Sequence, residues 1–186
     1  MKTTTTDILV TTTLDSPIGP LLAGASGEGI CLLEFAEPDR QQMQLGELRR
    51  HFGDAVELGR NEHTDRLAEE LTDYFAGYRQ DFSVPLVLSG TPFQRRVWKQ
   101  LMAIPYGETC SYEDVARAVG DAKAVRAVGA ANGKNRVAIV IPCHRVINKG
   151  GRLGGYGGGL WRKQYLLDLE TGGQFSAAMS GQPPRG

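Results

Sequence analysis

The sequence predicts an α+β protein of two small domains, a sheet with helices over residues 1–88 and a mostly helical unit over residues 89–171. Three observations carry this reading. Short apolar runs punctuated by turn residues crowd the first 35 positions, as strands do. Beyond position 90 the apolar residues recur at helical spacing behind capping residues. The charge divides at the same place: residues 1–90 hold 7 Lys and Arg against 15 Asp and Glu, a balance of −8, while residues 91–186 hold 14 against 6, a balance of +8.

Strands are expected at 8–12, 20–25 and 29–35, separated by Asp15-Ser16-Pro17 and by Ser26-Gly27-Glu28-Gly29. Met43, Leu48 and Phe52 mark a weak helix. Leu67, Leu71, Tyr74, Phe75 and Tyr78 form a stronger helical stripe behind Thr64 as the candidate cap. Thr91-Pro92 then supplies a cap followed by proline at the first helical position, with Phe93, Val97, Trp98, Leu101 and Met102 as the apolar face. Ser111 and Asp114 make a capping-box start for a helix that Gly120 stops. A further helix is expected from Ala122 to Ala131, which makes the pair a helix-turn-helix candidate in the basic half. Residues 137–141 read as a buried strand and residues 148–159 as a glycine-rich loop. A last helix is expected over 160–170, with Glu170 able to turn back toward a histidine. Residues 172–186, ending SGQPPRG, are expected to be disordered.

Composition narrows the function classes. With 41% hydrophobic and 23% charged residues, and no apolar stretch of about 20, the chain reads as soluble, without a membrane span. MKTTTTDILV lacks a signal-peptide core, so the cytoplasm is the expected compartment. Cys31, Cys110 and Cys143 are an odd number without metal-binding spacing, and His51, His63 and His144 are scattered, so free thiols are expected and no metal or other cofactor. A basic half facing a polyanion would explain the charge division; fortuitous segregation explains it equally well.

Pro142-Cys143-His144-Arg145-Val146 is the segment able to carry chemistry. A thiol attacks only as thiolate, and His144 or Arg145 could supply the base or the cation that thiolate needs. A bare Cys-His pair is more often a small core residue beside an incidental histidine, so the pair by itself does not establish chemistry.

The motifs GTPFQRRVW from Gly90, IPYGETCSY from Ile104, KAVRAVGAANGKN from Lys123, IVIPCHRVI from Ile139 and GGYGGGLWRKQYLLDLE from Gly154 resemble the O6-alkylguanine-DNA alkyltransferases in order and spacing. About half the chain is covered in this way, and the first half is similar to the family in length and topology only. The resemblance implies a ribonuclease H-like N-terminal domain with a three-stranded antiparallel sheet, and a winged helix-turn-helix-like C-terminal domain. It implies irreversible transfer of an alkyl group from O6 of guanine in double-stranded DNA onto Cys143 after nucleotide flipping, with O4 of thymine left open as a second substrate. It further implies His144 as base acting through a water, Glu170 as the carboxylate orienting it, Asn135 as the brace of the active-site turn and Tyr112 as the group protonating the departing guanine. Arg126 would enter the vacated stack, with Ala127 and Lys123 beside it on the DNA-binding element, and Val146, Tyr156 and Gly157 would wall the base pocket. A monomer in solution is implied, with cooperative assembly on DNA left open. Arg136 departs from the family proline after the asparagine, and Gly157 stands where some members have serine. Two rivals make different demands: a cysteine hydrolase using Cys143, His144 and Glu170 would turn over an acyl substrate, and a non-enzymatic DNA-binding regulator would not need the thiol.

Overall fold

A computed structural model describes residues 8–38, 41–53 and 55–176. The first half is a twisted sheet backed by helices. Strands β1 (Leu9–Leu14), β2 (Leu21–Ala25) and β3 (Ile30–Phe35) pair antiparallel, as expected, and a short β4 (Val56–Leu58) joins parallel to β1, giving the order β3-β2-β1-β4. β2 is buried along its whole length, which its unbroken run LLAGA anticipates. Helix α1 (Gln41–Phe52) covers a small second core around Leu9, Leu22, Leu32 and Leu48, and α2 (Glu62–Phe75) packs Leu67, Leu71 and Tyr74 into the main core.

The cap of α2 is Asn61, whose side chain accepts from the amides of His63 and Thr64. Thr64, expected as the cap, is the third residue of that capping box, and its hydroxyl accepts from the Asn61 amide at 2.9 Å. Because the helix ends at Phe75, Tyr78 leaves the stripe and is 87% exposed.

The second half is helical: α3 (Pro92–Met102), α4 (Tyr112–Ala118), α5 (Val125–Gly133) and α6 (Leu160–Thr171), with a two-stranded parallel ribbon of β5 (Cys110–Ser111) and β6 (Val146–Ile147). Thr91 and Ser111 close capping boxes at α3 and α4. The indole of Trp98 donates to the Ala131 carbonyl at 2.9 Å and ties α3 to α5.

Helix α5 begins at Val125, not at Ala122. The Asp121 carboxylate accepts from the Lys123 amide at 3.0 Å, and the Asp121 carbonyl from Ala124 at 3.0 Å, so a local turn consumes the residues expected to open the helix.

The expected strand over 137–141 is a pair of tight turns with buried side chains. Val140 donates to Ala138 across Ile139, whose φ is 72°, and Cys143 donates to Ile141 across Pro142 at φ −80° and ψ 63°. A β-branched residue at positive φ is strained, and it persists where surrounding contacts dictate it. Here Val137, Ile139 and Ile141 are each at most 2% exposed, and the burial that imitates a strand is what pins the turn.

The two halves join along the outer edge of β3. Within the first half Ile30 exchanges backbone hydrogen bonds with Pro85 and Val87, and Leu33 reaches across to exchange them with Arg136 and Ala138, all between 2.7 and 2.9 Å. The turn bearing Cys143 is thereby bonded to the N-terminal sheet. At the other end, Ser176 donates to Asp168 at 2.8 Å and Phe175 to Thr171 at 3.1 Å, so the first residues of the segment expected to be disordered are tied to α6; residues 177–186 lie outside the described residues. Among the described residues no helix is long and apolar enough to cross a membrane.

Candidate active site

Cys143, His144 and Arg145 form one turn of 3₁₀ helix between the strained turn and β6, all three buried. Asn135 organises the approach. Its carboxamide nitrogen donates to the Ile141 carbonyl at 2.9 Å and to Cys143 Sγ at 3.1 Å, while its oxygen accepts from the Val137 amide at 2.9 Å. One side chain thus closes the turn and touches the sulfur.

Burial pushes the Cys143 thiol above its ordinary pKa, against smaller downward effects of the Asn135 hydrogen bond and the Lys163 charge. Lys163 lies on α6 with no exposed surface, its ammonium donating to the Val146 carbonyl at 2.6 Å, and burial lowers its pKa to about 8. The cation acting on the thiol is therefore Lys163 and not the neighbouring Arg145. Arg145 turns away to bond Glu170 at 2.8 and 3.0 Å and the Ile104 carbonyl at 2.6 Å.

His144 Nε2 sits 2.7 Å from Glu170 Oε1, both side chains fully buried. Burial holds the imidazole below its usual pKa, although Glu170 pulls the other way, so it is neutral at pH 7. Glu170 itself is raised by burial, but the hydrogen bonds and charges of His144 and Arg145 outweigh that and bring it to about 2. An ionised carboxylate only accepts, so Nε2 carries the proton and Nδ1, which is buried without a partner, is left as a lone-pair base. A neutral imidazole with a free lone pair, next in sequence to a thiol of raised pKa, has the protonation states that general-base activation of a thiol requires.

The Gly107 amide completes the carboxylate shell at 3.2 Å. Gly107 has a φ of 77°, and a Cβ there would lie 3.0 Å from the Glu170 carbonyl oxygen, so the position favours glycine on both counts.

Cys143 opens onto a cavity of about 660 Å³, within the range of small-ligand sites. Tyr112, Asn132, Asn135, Tyr156 and Gly157 line it, together with Glu34 and Phe35 from β3. The Tyr112 phenol is raised by burial and by the proximity of Cys143. Tyr156 packs edge-on against Phe35 with ring centroids 5.9 Å apart, its hydroxyl buried without a partner. Gly158 permits that packing, since a Cβ there would fall 2.3 Å from the Phe35 ring. Arg136 stands at the rim, 3.4 Å from Glu34.

Of the expected site residues, Cys143, Asn135, Tyr112, Tyr156 and Gly157 meet at the cavity, while His144 and Glu170 are buried, paired with each other, outside its lining. Val146, expected in the wall, is fully buried in β6, where it pairs with Cys110 and gives its carbonyl to Lys163; its side chain is not among those lining the cavity. Arg126 and Ala127 lie on the exposed face of α5, and Lys123 on the turn before it, while Gly129, Asn132 and Gly133 of the same helix border the cavity. Among the described residues no group of three His, Cys, Asp or Glu could hold a metal ion.

Sequence reasoning missed Lys163, the true orientation of Arg145, and Tyr74, whose hydroxyl donates to Glu170 Oε1 at 2.7 Å. One signal was available for Lys163. It precedes Glu170 by seven residues, two turns of helix, on the face that also buries Leu166 and Leu167.

The family model described as 6-O-methylguanine DNA methyltransferase, DNA binding domain, matches residues 92–172, and that described as 6-O-methylguanine DNA methyltransferase, ribonuclease-like domain, matches residues 9–88. The methylated-DNA–protein-cysteine methyltransferase of Mycobacterium leprae is 45% identical over 159 residues, covering 84% of this chain and 89% of the relative. The constitutive enzyme of that name from Bacillus subtilis is 42% identical over 163 residues, covering 86% and 93%. The crystal structure of Mycobacterium tuberculosis OGT in complex with DNA has a TM-score of 0.75 and 43% identity, covering 88% of this chain and 93% of the other.

Proposed function

Since the chain belongs to the 6-O-methylguanine DNA methyltransferase family, we propose that it repairs DNA by moving an alkyl group from O6 of guanine to Cys143, once per protein molecule. The observation that carries this is a thiol lining a cavity of about 660 Å³, followed in sequence by a neutral histidine paired with an ionised glutamate, with a helix bordering the cavity that exposes Arg126.

The alkyl carbon on O6 faces the inside of the duplex, so the nucleotide must be everted, which costs a few kcal/mol. Arg126, exposed on α5 among alanines and glycines that allow close approach to a groove, fills the gap, and Lys123 meets the backbone. The Cys143 proton passes to His144 Nδ1 through a water, with the positive charge that develops on the ring balanced by Glu170. Sulfur then forms its bond to the alkyl carbon as the carbon–O6 bond breaks, and the electron pair stays with guanine. Tyr112 supplies the proton that neutralises the departing ring. The product is a thioether, which offers water no carbonyl to attack, so the thiol is not regenerated. The same displacement is open to O4-alkylthymine. A monomer suffices for these steps.

The reading is tested by stoichiometry. Increasing O6-methylguanine duplex over a fixed amount of protein should give repaired guanine that plateaus at one per protein, whereas continued turnover would exclude a self-alkylating reaction. Arg126→Ala should slow repair of the duplex about 10- to 100-fold, the equivalent of a few kcal/mol of eversion, and leave reaction with free O6-benzylguanine unchanged. Equal losses on both substrates would give the arginine a different task. Nothing lies within 4 Å of a Cβ added at Gly157, so Gly157→Ser fits and narrows the rim. Its benzyl-to-methyl rate ratio should fall about tenfold, and an unchanged ratio would remove Gly157 as a determinant of alkyl size.

A further inference from the structure

We propose that Tyr74, from the N-terminal half of the chain, is a positioning residue for the reaction at Cys143, acting through Glu170 on His144. The inference rests on the alkyl-transfer reading above and adds to it a contribution from the domain that carries no other part of the His144–Glu170 pair.

Tyr74 lies on α2 with no exposed surface, and its hydroxyl is 2.7 Å from Glu170 Oε1, across 96 residues of sequence. That same oxygen receives His144 Nε2 at 2.7 Å and Arg145 Nη2 at 3.0 Å. The other oxygen receives Arg145 Nε at 2.8 Å and the Gly107 amide at 3.2 Å. A packing role alone would be met by a phenylalanine here, since Phe75 and Phe82 lie 5.3 Å and Tyr106 6.1 Å from the ring. The hydroxyl is the only polar atom of that side chain, and it is spent on the carboxylate that sets the histidine.

The direction of the bond follows from chemistry. Glu170 is ionised and can only accept, and the Tyr74 phenol is held well above its usual pKa by burial and by Glu170, so it donates. Its donation has two consequences. It fixes the carboxylate in the orientation that meets His144 Nε2–H, leaving Nδ1 free for the thiol proton. It also draws off part of the negative charge that the imidazole feels. The charged and titratable groups around this centre are Arg145, Lys163, Cys143 and Tyr106, and none of them replaces a hydroxyl at Oε1. Without the Tyr74 hydroxyl, His144 becomes more basic and less well oriented. The neutral imidazole, the form able to take a proton, is then lost at a higher pH as the solution is acidified.

The test compares Tyr74→Phe with the unaltered protein in S-alkylation by free O6-benzylguanine and by O6-methylguanine duplex, from pH 5 to pH 9. The expected result is a loss of about tenfold, part of the 10²–10⁴ that a positioned base contributes, equal for the two substrates and with unchanged duplex affinity. The acid limb should move up by about half a unit. In a Glu170→Gln background the same substitution should change the rate less than about twofold, because the two residues act in one chain of contacts. A rate and acid limb equal to those of the unaltered protein, or a loss confined to the duplex, would overturn the assignment. Failure of the unaltered protein to transfer any alkyl group would instead refute the repair reading. If Tyr74→Phe does not fold, the ring-carbon signal of ¹³Cζ-labelled Tyr74 serves: it should shift on Glu170→Gln, and a signal that stays in place overturns the contact.

Discussion

Glu170→Ala is expected to lower alkyl transfer by at least 10²-fold and to destabilise the fold by about 3–5 kcal/mol. Both effects come from one carboxylate. Its loss strips His144 of the partner that fixes its tautomer, and leaves the Arg145 guanidinium, whose side chain is 7% exposed, without the carboxylate that balances its charge. Breaking one side of a buried ion pair costs more than the pair contributes, because an uncompensated charge stays behind. Urea denaturation measures the stability, and single-turnover kinetics on O6-benzylguanine the chemistry.

The pH dependence of stability gives a second signature. The folded carboxyl titrates at about 2, below the roughly 4.3 of an unfolded chain, so the folded state binds fewer protons and stability is greater above that range. The contribution is complete above about pH 5, amounts to about 3 kcal/mol, and is lost as pH falls from there toward 2. Glu170→Ala should abolish that part of the acid sensitivity, and a variant as acid-sensitive as the unaltered protein would contradict it.

Cys143→Ser is expected to abolish transfer altogether while shifting the melting temperature by no more than about 3 °C. Asn135 can donate to a serine oxygen as it does to Sγ, and the site loses little volume. An alcohol in the same place ionises far less readily than a thiol, and burial makes ionisation harder still. Neither remaining cysteine is equipped to substitute. Cys31 is buried against the Gly24 carbonyl, and burial together with Asp114 pushes the Cys110 thiol up to about 11. Residual transfer in Cys143→Ser would mean that another nucleophile reaches the base.

The sequence was most legible where structure is local. The strand limits follow from turn residues such as Asp15-Ser16-Pro17, and the starts of α3 and α4 from Thr91-Pro92 and Ser111 with Asp114, because caps and turns are decided by a few neighbouring residues. That His144, adjacent to Cys143 in sequence, meets the distant Glu170 was anticipated by the resemblance of their motifs. What escaped depends on tertiary context. Residues 137–141 have the apolar character of a strand, yet Asn135 and two γ-turns fold them back, and no composition signals that. Tyr74 reads as one more aromatic in a helical stripe, since nothing near it in sequence shows that its hydroxyl meets a carboxylate 96 residues away. Arg145 reads as a cation for the neighbouring thiol, and only the packing of α6 against the turn that bears Cys143 turns it toward Glu170 and brings Lys163 in.

In the proposed reaction one sulfur receives the alkyl group and keeps it. Intact-protein and peptide mass spectrometry after incubation with duplex containing O6-methylguanine addresses this directly. The expected result is one added methyl per protein, confined to the peptide carrying Cys143, and an unmodified Cys143→Ser variant. A methyl on Cys31 or Cys110, or repaired guanine released from protein that remains unmodified, would contradict it.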